Sequence, residues 1–187
     1  MLFTEKRDGT IKARSVYNGK DTRDWISRED SASPTVSQES IVITSVIDVK
    51  EGRDIMTVDV PNAFIQTLLL DKYRKIGDRI IMKFRGKIVD FLIKMNLGRY
   101  DGYVVYENGK KVIYVEIIRA IYGMIIASFL WYQKFRKDLE GYGFKFNLYD
   151  PCVANKYVNG KQQTVRFHVD DLMSSHVDKK INDKFLA

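Results

Sequence analysis

The sequence predicts an α+β fold, an antiparallel sheet backed by helices, and three observations carry that reading. Alternation of apolar and polar residues along Thr164-Val165-Arg166-Phe167-His168-Val169 has the period of a strand. Asn-Gly steps at Asn108-Gly109 and Asn159-Gly160 each sit between β-prone runs, the strongest short-range hairpin signal. Between them, Ile121, Ile125, Phe129, Tyr132, Phe135 and Leu139 fall on one helical stripe, the core-facing pattern of an amphipathic helix over Ala120–Leu139.

Taken from the start, Thr10–Val16 reads as a strand with basic residues on one face, and Tyr17–Ser31 is polar and charged, turning at Asn18-Gly19. Thr35–Lys50 is predicted to be a packing helix, with Val36, Ile43, Val46, Ile47 and Val49 at helical spacing and serines near its start. Ile55–Asp59 is an apolar strand, and Pro61-Asn62 opens a short helix reaching Leu70. Arg79–Phe84 suits a strand, and Lys87–Met95 a helix ended by Asn96-Leu97-Gly98. Tyr103–Tyr106 and Lys111–Ile118 form a hairpin across Asn108-Gly109. Gly141 and Gly143 end the long helix, a strand covers Lys145–Leu148, Tyr149-Asp150-Pro151 turns, and Val153–Tyr157 pairs with Gln163–Val169.

With 187 residues, 45% of them hydrophobic, the chain can bury one real core, and one domain spanning 1–187 is expected. The excess of 31 Lys+Arg over 24 Asp+Glu gives +7 at neutral pH, a balance that favours polyanionic partners. Lys12, Arg14, Lys20 and Arg23 are the candidate phosphate-contacting residues. The single cysteine, Cys152, excludes a disulfide framework and predicts a small buried residue in a reducing compartment, cytoplasmic or nuclear. Charge at Glu5, Lys6 and Arg7 comes too early for a secretory signal, and no apolar run approaches the ~20 residues of a membrane span, so no membrane partner is expected.

The chemistry concentrates in three carboxylates. Asp170-Asp171 follows the alternating strand where it should turn back, and Asp59 ends an apolar strand. An Asp-Asp step alone also suits an ordinary turn. Two adjacent strands would bring all three together, however, and Mg²⁺ takes hard oxygen ligands from carboxylates and substrate phosphates, which suits nucleotidyl transfer.

These residues stand in a series of blocks: Lys12-Ala13-Arg14, Ala32-Ser33-Pro34-Thr35-Val36, Thr57-Val58-Asp59-Val60-Pro61-Asn62-Ala63-Phe64-Ile65-Gln66, and Arg119-Ala120-Ile121-Tyr122-Gly123. Trp131-Tyr132, Gly143-Phe144, Asp150-Pro151-Cys152-Val153 and His168-Val169-Asp170-Asp171-Leu172 follow. In order and spacing the chain resembles the reverse transcriptase domain of copia-type LTR retrotransposons from about Lys12 onward. The resemblance implies a polymerase palm carrying Asp59, Asp170 and Asp171, interleaved with basic fingers drawn from the first part of the chain and from residues around Arg79–Tyr114.

It further implies RNA-directed DNA synthesis by two-metal catalysis with Mg²⁺, or Mn²⁺ in its place. The partners would be an RNA template, a DNA primer or RNA/DNA hybrid, and deoxynucleoside triphosphates. Asp59 and Asp170 would bridge the metals, the Val60 carbonyl would add a ligand, and Asp171 would be peripheral. Phe64 would gate against the ribose 2′ hydroxyl, with core packing as its alternative role, and Gly123 would admit template or nucleotide. The family's thumb and ribonuclease H would lie outside this chain, in a longer polyprotein found in virus-like particles.

The chain departs from the pattern at His168, where the family usually has an aromatic residue, and at Met124–Phe129, which replaces a Leu-Lys-Gln-Ala-Pro-Arg-like run. Two other readings stand beside the polymerase. One is a decayed or co-opted element that binds nucleic acid or serves structurally. The other is a metal-dependent nuclease, which would need a base from His168, expected on a strand, or His176, expected at the surface.

Overall fold

The computed structural model describes residues 2–14, 16–69, 79–96 and 98–186. The chain is a mixed α/β structure with antiparallel sheets, divided into two compact units, Met1–Thr67 with Ala120–Ala187, and Leu68–Arg119.

In the first unit, β1 (Leu2–Glu5) and β2 (Ile11–Arg14) form a two-stranded ribbon. The main sheet has five strands in the order β3-β10-β9-β8-β7: β3 Asp54–Asp59, β7 Lys145–Phe146, β8 Val153–Val158, β9 Lys161–His168 and β10 Asp171–His176. Every neighbouring pair is antiparallel. Because side chains alternate across a strand, Val165, Phe167 and Leu172 share one face with Ala154. That face is apolar and packs with Tyr132 and Leu139 of α4 (Ala127–Gly141), with Phe144, and with Phe185 of α5 (Lys179–Leu186). Phe135 meets Phe167 edge-on at 4.9 Å between centroids, a favoured aromatic geometry. Cys152 lies in this core as expected, and burial, followed by the nearby Asp150 charge, pushes its thiol up to about 12.

The opposite face is covered by α2 (Gln38–Glu51), and the contact is polar. Of the apolar stripe expected to pack, Val36 meets the core and Ile47 is half-buried, whereas Ile43, Val46 and Val49 face outward, Val46 at 61% and Val49 at 81% exposed. The buried residue of this helix is Asp48, which accepts from Ser175 Oγ at 2.6 Å and lies 3.7 Å from both Arg53 and Arg166. Arg53 donates to Thr164 Oγ1 at 2.9 Å, and Arg166 to Thr44 Oγ1 and Ser45 Oγ. Burial draws the Arg166 guanidinium below its usual value against the pull of Asp48. Polar residues cover this face because Thr164, Arg166 and Ser175 project from the sheet beneath the helix and need partners once buried.

The ends of α2 are well determined. Ser37 Oγ caps the Ser40 N–H at 3.1 Å, and Gly52 closes the helix at φ +62. Asp150 ties that N-terminus to the sheet, accepting from the N–H groups of Ser37 and Cys152, both at 2.9 Å. Burial alone would raise its carboxyl, but hydrogen bonds from Ser40, Ser37 and Cys152 hold it below the ordinary carboxylate value.

The second unit contains β4 (Ile81–Arg85), α3 (Lys87–Met95), β5 (Val105–Glu107) and β6 (Lys110–Glu116), with sheet order β4-β6-β5. Val89 of α3 is buried with Val112 and Ile113 of β6. Asn108-Gly109 forms the expected two-residue turn, with φ of 49 and 74.

Several boundaries differ from expectation. The long helix begins at Ala127 rather than Ala120, because Gly123 sits at φ +89 and Tyr17 N–H bonds Tyr122 O at 2.8 Å, which keeps this stretch out of the helix. The helix expected from Asn62 is a short 3₁₀ turn, Ala63–Gln66, and Leu70 lies outside the described residues, as do Ser15 and Leu97. The strand after Gly143 stops at Phe146 because Asn147 Oδ1 takes the Tyr149 N–H at 2.7 Å. The Asn18-Gly19 turn opens a 3₁₀ helix, Gly19–Trp25, followed by α1 (Arg28–Ser31).

Candidate metal centre

The register of the main sheet decides where the carboxylates lie. Asp171 pairs directly with Asp59 across β10 and β3, and with His168 across β10 and β9. Residues directly opposite on an antiparallel pair point to the same face, so Asp59 and Asp171 project side by side from the α2 side of the sheet. Both are exposed, and Asp170 is half-buried in the two-residue turn between β9 and β10.

That turn carries backbone strain. Val169 has φ +59, a left-handed conformation that is an outlier for a β-branched residue. It persists because the surroundings determine it twice. Trp131 Nε1 donates to the Val169 carbonyl at 2.7 Å, and the Val60 N–H donates to the Asp170 carbonyl at 2.9 Å. The first bond anchors the tip to α4, and the second to the end of β3. Strain of this kind costs on the order of 1–3 kcal/mol and gathers at functional sites.

The carboxylates of Asp59, Asp170 and Asp171 have no hydrogen bond or ion pair with any described residue. Their oxygens match a hard divalent cation, which would also relieve the repulsion between two like charges directly opposite each other. Among the described residues, no three His, Cys, Asp or Glu side chains are already gathered to hold a metal ion. The backbone thus makes the three carboxylates neighbours, and their side chains are not drawn together. Beside Asp59 and Asp171 opens a groove of about 480 Å³ lined in part by Val36, Thr57, Arg166, His168 and Met173.

The other expected residues distribute as follows. Phe64, on the 3₁₀ turn after Asp59, is half-buried with its ring centroid 4.9 Å from that of Tyr122. A Cβ at Gly123 would stand 2.0 Å from the Tyr17 carbonyl oxygen, so the backbone this glycine admits is the chain's own. Lys12 and Arg14 lie on β2, and Lys20 and Arg23 are exposed on the 3₁₀ helix that follows. His168 is exposed at the end of β9. His176, expected at the surface, is only 1% exposed, because alternation along β10 places it on the same face as Leu172 and Ser174, where Nδ1 accepts from the Asp178 N–H at 2.9 Å.

Sequence reasoning missed the clamp. Trp131 was legible as a core residue, and the signal for more was its indole N–H, which needs an acceptor once buried. No protein-family model matches the chain, and no solved structure matches it.

Proposed function

We propose that this chain is the fingers and palm part of a copia-type reverse transcriptase, an RNA-directed DNA polymerase acting on an RNA template, a DNA primer and deoxynucleoside triphosphates. One observation carries the reading: a strained turn, clamped by Trp131 and Val60, presents Asp170 and sets Asp171 opposite Asp59, with all three carboxylates unpartnered among the described residues. Strain and uncompensated charge at one spot both work against stability, and a binding role accounts for both.

On this reading Asp59, Asp170 and Asp171, with the Val60 carbonyl, hold Mg²⁺ or Mn²⁺. Bound divalent metal supplies Lewis-acid activation of the primer 3′ hydroxyl and neutralises the triphosphate. The chain's own contribution is positioning. The clamped turn fixes Asp170; Phe64, on the turn that follows Asp59, serves as the gate against the ribose 2′ hydroxyl; and Lys12, Arg14, Lys20 and Arg23 meet nucleic-acid phosphates. Such a protein works in the cytoplasm, in virus-like particles, or in the nucleus.

The test is calorimetric titration with Mn²⁺ and Mg²⁺, alongside primer extension on an RNA template. The wild type should bind metal, and Asp59→Asn and Asp170→Asn should each weaken binding by about tenfold or more, the scale of one lost charge-assisted contact. Unchanged affinity in Asp170→Asn sinks the metal centre. Metal binding with salt-sensitive RNA/DNA affinity but no extension would favour the co-opted, nucleic-acid-binding element.

A further inference from the structure

The α4 side of the same sheet holds a second and larger groove, of about 660 Å³, running from Asp59 and Pro61 past α4 to β8, β9 and α5. Its walls are mainly apolar, including Phe135, Leu139, Val158, Leu172, Ile181 and Phe185. The volume falls in the range of small-molecule sites, roughly 300–1,000 Å³. The charged and polar lining residues are Asp59 and Gln66 near the start of the groove, Lys134 and Asp138 of α4, which pair with each other at 2.6 Å, and Lys156, Gln163 and Lys184 where β8, β9 and α5 meet.

Lys156 and Gln163 are directly opposite across β8 and β9, so their side chains leave the same face together. Lys184 reaches them from α5, near enough for its charge to act on Lys156. Neither lysine has a carboxylate partner among the described residues, and burial, followed by the neighbouring Lys184 charge, holds the Lys156 ammonium below the usual lysine value. Among the described residues these two cations have no counter-charge, and the Lys156 ammonium lies over the Phe144 ring, 4.5 Å from its centroid.

Gln163 adds an independent observation. It is fully buried, and its Oε1 has no hydrogen-bond partner among the described residues. The orientation of its amide follows from a chain of donors. Asn182 Nδ2 donates to the Asp54 carbonyl oxygen at 2.8 Å and to Asp54 Oδ2 at 2.9 Å, so Asn182 Oδ1 is an acceptor. Ser174 Oγ must then donate to it, at 2.9 Å, and accepts in turn from Gln163 Nε2 at 3.0 Å. The remaining Gln163 atom is therefore an acceptor without a donor, a costly state for a buried amide.

We propose that this groove binds a small amphiphilic anion, with its apolar body along α4 and α5, its carboxylate or phosphate on Lys156 and Lys184, and an adjacent hydroxyl donating to Gln163 Oε1. The ligand supplies what each part lacks. Apolar surface meets Phe135, Leu139 and Phe185, negative charge meets the lysine pair, and one donor meets the orphaned acceptor. A purely apolar ligand leaves both polar demands unmet, and inorganic phosphate leaves the walls wet.

Chemical-shift titration of the isotope-labelled chain tests this, with 3-hydroxydecanoate, decanoate, 1-decanol and inorganic phosphate as probes below micellar concentrations. The expected result is saturable binding of 3-hydroxydecanoate, with shifts centred on residues 131–142, 156–163 and 181–185 and none over 81–116. Decanoate should bind more weakly, and 1-decanol and phosphate more weakly still. The double variant Lys156→Met, Lys184→Met, on side chains that reach solvent, should lose about tenfold or more in affinity. Gln163→Leu should abolish the preference for the hydroxylated acid while retaining decanoate binding. Equal affinity for 1-decanol and 3-hydroxydecanoate, equal affinity for phosphate alone, or unchanged affinity in the double lysine variant would each overturn the proposal.

Discussion

Three hairpins among the described residues turn through two residues, and they are built on opposite principles. At Asn108-Gly109 and Asn159-Gly160 both central residues have positive φ, with values of 49 and 74, and of 52 and 74. Asn and Gly tolerate that region, so each turn agrees with its own sequence. The turn between β9 and β10 puts Val169 at φ +59, where a glycine would sit without strain. It is held from outside, by Trp131 on one carbonyl and Val60 on the next. The first two turns hold their strands together locally. The third spends stability from the surrounding fold to fix the tip that carries Asp170, and such local disagreement belongs to functional sites.

The comparison breaks most directly at Trp131. In Trp131→Phe the core keeps an aromatic ring, and the Val169 carbonyl loses its donor. Loss of the hydrogen bond to this half-buried carbonyl costs about 0.5–1.5 kcal/mol, which urea unfolding reads as a fall in midpoint. Hydrogen exchange at residues 168–172 should speed up more than at the Asn159-Gly160 hairpin. A change within about 0.5 kcal/mol, the range of an ordinary surface substitution, would mean that the turn does not depend on the indole.

Val169→Gly sharpens the same contrast with the opposite sign. Relief of a left-handed β-branched residue returns about 1–2 kcal/mol, and the extra freedom of glycine in the unfolded chain takes back roughly 0.5–1. The expected outcome is a net gain between zero and about 1.5 kcal/mol. Gly160→Val, in a turn with no such clamp, should lose stability instead. Destabilisation by Val169→Gly would show that Val169 is unstrained in place.

The same contrast explains what could be read from the sequence. The hairpins at Asn108-Gly109 and Asn159-Gly160, and helix α3 over Lys87–Met95, were legible because turn chemistry and apolar pattern agree there with the fold. The late start of α4 was not, because it depends on Gly123 packing against Tyr17, far away in sequence. The orientation of α2 was also hidden. Its valines and isoleucines read as a core stripe, yet Asp48 is the buried residue, since Arg166 and Ser175 on the sheet and Arg53 just before β3 await it. Partners of a buried charge come from tertiary structure, and an apolar stripe on one helix cannot foretell them. At the candidate site, the in-register approach of Asp59 and Asp171 was legible as two strand ends, and the clamp on Val169 was not.

The smallest effect concerns the carboxylates themselves and carries a change of sign. Asp59 and Asp171 are directly opposite, exposed and without counter-charges among the described residues, so in metal-free buffer Asp171→Asn removes a like-charge pair. Cross-strand pairs of this type are worth roughly 0.2–1 kcal/mol, so the variant should melt slightly higher than wild type. The advantage should shrink as salt rises, because exposed charges are screened within about 8–10 Å at moderate ionic strength. Added Mn²⁺ should reverse the order. A ligand that binds only the folded state stabilises by about 2.7 kcal/mol at one hundred times its dissociation constant, and the wild type, with all three carboxylates, takes more of that stabilisation than the variant. Parallel melting curves with and without Mn²⁺ read both signs. A variant that gains as much from metal as wild type would leave the repulsion between Asp59 and Asp171 without the binding role that accounts for it.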